Sequence, residues 1–99
     1  MSKINETVGK YINEAAPRSI STIAAEIRQD WAKVNYGAKP YLDAMGSLDK
    51  ITDKYYADSG SSVVAYFLAN ANQWKGEKAR ATKKELNKML NDYYKSKGV

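Results

Sequence analysis

From Ser59 to Trp74 the chain carries no charged residue, and this one stretch sets the plan for the rest. Val63, Val64, Phe67, Leu68, Ala71 and Trp74 fall on one broad face at helical spacing, while Ala65 and Ala69 keep most of the other side small. A helix that is apolar nearly all round belongs in the middle of a domain. Val63, Val64, Tyr66 and Phe67 also have strand character, but a lone strand leaves its backbone polar groups unpaired, and no second run of that kind is present to pair with it. The spacing therefore predicts a buried central helix over about 61–75.

The flanking segments read as helices that cover it. Ile4, Val8, Tyr11, Ile12 and Ala15 form an apolar stripe ending near Ala16, where Pro17 disfavours helical geometry in the residue before it. Ser19 or Ser21 caps a second helix whose stripe is Ile20, Ile23, Ala24, Ile27, Trp31 and Val34, stopped by Asn35-Tyr36-Gly37 with Gly37 in the left-handed conformation. Pro40 suits the first turn of a third, continued by Leu42, Met45, Leu48, Ile51 and Tyr55, with Gly46 able to split it. Asp58 to Ser62 reads as a loop whose serines cap the central helix. Beyond Gly76, Ala79, Leu86, Met89, Leu90 and Tyr93 share one face of a last helix. The expectation is an all-α fold in which residues 1–99 form a single domain of about five helices.

Charge is unevenly placed. Residues 1–74 hold eight Lys or Arg and eight Asp or Glu, so the formal +5 belongs to residues 75–99. At ~100° per residue, Arg80, Lys84, Lys88 and Lys95 lie within about 80° on the side opposite the apolar face. A localised positive field draws in phosphate backbones or acidic protein surfaces. Tyrosine is the other signal: eight of them, with two tryptophans, exceed what a core of this size hides. In each of the pairs Tyr55-Tyr56 and Tyr93-Tyr94, one ring is expected to face the core and the other the rim. Exposed tyrosines beside lysines have the composition of protein interfaces and also suit stacking on unpaired bases.

Chemistry within the chain looks thin. With no cysteine and no histidine, thiolate nucleophiles, disulfides, the usual zinc sites and the one side chain that titrates near neutrality are all missing. Glu26 and Asp30 stand one turn apart, as do Asp49 and Asp53, but nearby lysines make both pairs read as solvated faces with local ion pairs. No phosphate-binding glycine loop and no GxSxG turn occurs. The turn at 35–37 leads into a segment carrying Asp43, Asp49 and Asp53, which phosphates would repel, so it makes a poor recognition helix. The expectation is a non-enzyme without a cofactor or metal. The longest apolar run, Val63 to Ala69, is far short of the ~20 residues that span a bilayer. With no apolar leader at the start of the sequence, a cytoplasmic location is expected.

Across roughly residues 23–90, Asp30-Trp31, the stretch from Tyr36 to Leu42 with Ala44-Met45, Tyr66 to Ala71, Trp74-Lys75-Gly76 and Ala79-Arg80 carry a resemblance. The chain resembles small, uncharacterised helical proteins of phages and mobile elements of Gram-positive bacteria. None of these residues forms a catalytic motif. The resemblance implies a context, since small phage proteins without enzyme signatures often occlude a host machine, anti-CRISPR proteins among them. A basic chain does not imitate DNA, so blocking would come from engaging guide RNA, target DNA or an acidic protein surface. The expected function is steric inhibition of a host defence protein or ribonucleoprotein complex through Lys75, Lys78, Arg80, Lys83, Lys84, Lys88 and Tyr94. The alternative is an accessory protein of phage replication or transcription that binds RNA or DNA through phosphates with little sequence preference. Neither reading involves a membrane.

Overall fold

The computed structural model describes residues 18–97. The stripe at Ile4–Ala15 lies outside them. Within them are four helices, α1 (Ile20–Asp30), α2 (Lys39–Met45), α3 (Gly60–Ala69) and α4 (Glu77–Ser96), and a two-stranded antiparallel sheet of β1 (Lys54–Tyr55) and β2 (Asp58–Ser59). The fold is thus mostly helical rather than all-α.

α1 starts where Ser19 accepts the Thr22 N–H at 3.1 Å. Its next free donors are satisfied in tertiary fashion: Ile20 and Ser21 donate to the carbonyls of Asp49 and Leu48 at 2.9 and 2.8 Å. The helix ends at Asp30, not near Val34, because Trp31 leaves helical geometry at φ −105°, ψ 88°. That turn lays the Trp31 ring parallel to Trp74, 5.8 Å away, and edge-on to Phe67 at 6.3 Å. Gly37 does not take the positive φ expected of it. A Cβ there would stand 3.1 Å from the Asn70 amide oxygen.

α2 stops at Met45. Beyond Gly46 the chain continues in tight turns, Ser47 N–H to Ala44 and Leu48 N–H to Met45, each bond spanning three residues. Such turns keep side chains recurring at about every third position. Leu48 is therefore buried and Ile51 half-buried without a helix beneath them. The Asp53 carboxylate closes the segment by accepting the N–H groups of Asp49 and Lys50, both at 3.0 Å, and these bonds lower its pKa. The pair at 49 and 53 is therefore a turn clasp rather than a solvated helix face.

The Asp58–Ser62 segment, read as a loop, is β2 followed by the first turn of α3. Ser59 caps α3 by accepting the Ser62 N–H at 3.1 Å. Gly60 has to be glycine: a Cβ would meet the carbonyl oxygens of Ile51 and Asp53 at 2.8 and 2.9 Å. α3 packs against α2, α4 and the hairpin, with Val63, Val64 and Phe67 buried. It ends at Ala69, several residues before the predicted limit: Asn70 leaves helical geometry at φ −109°, ψ 10°, and its side chain donates to the Tyr66 carbonyl at 2.8 Å. Trp74, placed on the helix by its spacing, sits instead in the following turn, 2% exposed, and donates from Nε1 to Asp30 at 2.8 Å. Gly76 then starts α4 at φ 108°, a backbone state that only glycine adopts readily.

Candidate functional site

α4 is amphipathic as its sequence requires. Ala79, Thr82, Leu86 and Leu90 are buried, and Met89 and Tyr93 are half-buried beside them. Arg80, Lys84, Lys88 and Lys95 are all exposed on the opposite side, forming a strip of cations along the outward surface. Among the described residues, Lys88 pairs with Asp92 at 3.0 Å, and no carboxylate lies within ion-pair distance of Arg80 or Lys84.

The seven residues singled out in the sequence do not all share that strip. Lys75 is exposed in the turn before α4. Lys78 lies on the edge facing α1, where its Nζ meets Glu26 at 2.9 Å. Lys83 lies on the other edge, donating to the Trp74 carbonyl at 2.7 Å with its ammonium 5.9 Å from that ring's centroid. Burial there, and secondarily repulsion from Lys75, lower the Lys83 pKa. Tyr94 is 43% exposed, and its ring leans on half-buried Tyr93 at 5.5 Å. The pairwise expectation for the tyrosines holds at Tyr55, which packs half-buried against the core with Tyr56 outside, whereas Tyr93 is half-buried without joining the residues packed against the core. Tyr36 and Tyr66, which the spacing did not single out, are more exposed than Tyr94.

Sequence reasoning also missed the arginine that ties the helices together. Arg18 donates from Nε and Nη2 to the two Glu85 oxygens, at 3.1 and 2.7 Å, and from Nη1 to Glu26 at 2.6 Å. Glu26 is thereby shared between Arg18 and Lys78, which pull its pKa down to about 2, the Arg18 bond contributing most. Carboxylates on both sides raise the Arg18 pKa in turn. The Glu26–Asp30 pair is therefore spoken for: one member holds two cations and the other holds Trp74. Among the described residues no group of three or more Asp or Glu is arranged to hold a metal ion, and no helix is long and apolar enough to cross a membrane. A groove of about 680 Å³ lies between the end of α4 and the 49–52 turn, walled by Ile20, Ile51, Met89 and Tyr93.

Comparison with known protein families, curated proteins and solved structures finds no match to this chain.

Proposed function

We propose that the chain is a non-enzymatic interaction protein of a phage or mobile element, acting in the host cytoplasm to inhibit a nucleic-acid-directed defence complex of the anti-CRISPR kind. The observation that carries this reading is the outward strip of α4, where Arg80, Lys84 and Lys88 stand exposed on a helix whose other side closes the core. Such a strip meets a phosphate backbone or an acidic protein surface without any rearrangement of the fold. Lys75 and Tyr94 extend the contact at either end, while Lys78 and Lys83 serve the fold through Glu26 and Trp74. The resemblance to phage-borne helical proteins supplies the biological setting.

Because those cations suit phosphates directly, a second reading is an accessory protein that binds RNA or DNA with little sequence preference. Reversing Arg80→Glu, Lys84→Glu and Lys88→Glu together tests both. On the first reading, the wild-type protein blocks DNA cleavage by a reconstituted RNA-guided effector of the host, and the triple variant loses the block while keeping its helical circular dichroism. Undiminished inhibition by the triple variant rejects the site. On the second reading, naked duplex DNA binds without a protein partner. Each neutralised phosphate then contributes about −0.9 to the logarithmic salt slope, so the variant flattens it by roughly three such contributions.

A further inference from the structure

A second concentration of cations lies on the flank of α1 that faces α2. A pocket of about 410 Å³ opens there, lined by Arg28, Trp31, Ala32, Lys33, Val34 and Lys39. Three of its six lining residues are cations and none is an acid. The nearest carboxylate, Asp43, already spans two of them: Oδ1 takes a hydrogen bond from Arg28 Nη2, and Oδ2 lies 3.9 Å from Lys39 Nζ. Arg28 and Lys39 thus converge on one oxyanion, leaving Lys33 as a third cation on the same wall. The floor is rigid, since Trp31 is nearly buried and stacked on Trp74.

We propose that this pocket binds a phosphoryl group, which takes the place of the Asp43 carboxylate between Arg28 and Lys39 and is also reached by Lys33. A carboxylate offers one charge and two oxygens, whereas a phosphoryl group brings more oxygens and up to two charges to match the third cation. The guanidinium fork suits such an oxyanion by geometry, and the two lysines by charge. The site is separate from the α4 strip and does not depend on it.

The group can arrive as a terminal phosphate or as a phosphodiester, and two probes separate these sources. Pyrophosphate and a single-stranded oligothymidylate lacking a 5′-phosphate are titrated into the full chain, following tryptophan fluorescence and the backbone amide resonances of residues 28–43. A saturable response to pyrophosphate alone assigns a terminal phosphate; a response to the oligonucleotide alone assigns a backbone phosphate. In either case Arg28→Ala should weaken binding roughly tenfold or more, and Arg28→Lys, which keeps the charge but not the fork, by less. Asp43→Asn provides the sharper arm, because removing the resident carboxylate should tighten binding several-fold. The α4 triple variant should bind pyrophosphate as the wild type does, so failure of the α4 site leaves this result intact. The proposal is overturned by the absence of a saturable response to both probes, by affinity that survives Arg28→Ala and is indifferent to Asp43→Asn, or by loss of binding in the α4 variant.

Discussion

Helix α1 carries charge on both flanks and uses it in opposite ways. Towards α4, Arg18 and Lys78 face Glu26 and Glu85, two cations to two carboxylates, each joined within 3.1 Å to an opposite charge. Towards α2, Arg28 and Lys39 meet the carboxylate of Asp43, and Lys33 lines the same pocket with no carboxylate within ion-pair distance among the described residues. The first arrangement is complete and acts as a strut between the first and last described helices. The second has positive charge to spare at the mouth of a pocket. A net charge summed along the chain conceals this, because it does not say which acids stand beside which cations. The ratio of charges within bonding distance separates a structural flank from a binding one.

The largest effect is expected from removing the floor on which both flanks stand. Trp74 is buried, stacks on Trp31 beneath the cation pocket, and binds Asp30 on α1. Trp74→Ala should cost about 3–5 kcal/mol in urea denaturation and abolish the pyrophosphate response along with the packing. A variant of near wild-type stability would mean that the two flanks do not share that support. Gly60→Ala separates instability from loss of a site. Its new methyl meets two backbone carbonyls that no rotamer change can move, so the expected loss is about 1–3 kcal/mol. Gly60 touches neither flank, and pyrophosphate affinity at temperatures where the variant is folded should equal that of the wild type.

How much of this was legible in the sequence depends on whether a feature is written in spacing or in contact. α4 and the core of α3 were legible, because one amphipathic period and one uncharged run leave little choice. The chain from Gly46 to Ser59 was only half legible. Leu48 and Ile51 keep a helical rhythm, but consecutive tight turns reproduce that rhythm without a helix. The stops at Asp30 and Ala69 come where Trp31 turns towards Trp74 and where Asn70 leaves helical geometry, local departures with no periodic signature. The α4 strip could be read from a helical wheel. The cations at 28, 33 and 39 could not, since a helix end, a loop and a helix start bring them together.

The smallest effect discriminates most between the flanks, and it is read by acid. Glu26 ionises at about 2 in the folded protein against an ordinary value of 4.5, mainly through its bond to Arg18. A carboxylate whose folded pKa is depressed adds stability above its unfolded value and loses that contribution as pH falls through the folded one. The strut should therefore be fully in place above about pH 4.5 and fade between there and about pH 2. Arg18→Met removes the main cause, so its stability should lie below the wild type at pH 7 and converge with it towards pH 2. The gap should be modest, because exposed ion pairs contribute little. Asp53 is also held low, by backbone N–H groups, but it is common to both proteins and cancels in the difference. Asp43→Asn should remove the acid-labile contribution of the other flank in the same way, because Arg28 holds that carboxyl below its usual range. It should also tighten pyrophosphate binding, which Arg18→Met should not. If urea midpoints of wild type and Arg18→Met stay parallel from pH 7 to pH 2.5, Glu26 does not need its arginine, and the two flanks differ less than their geometry indicates.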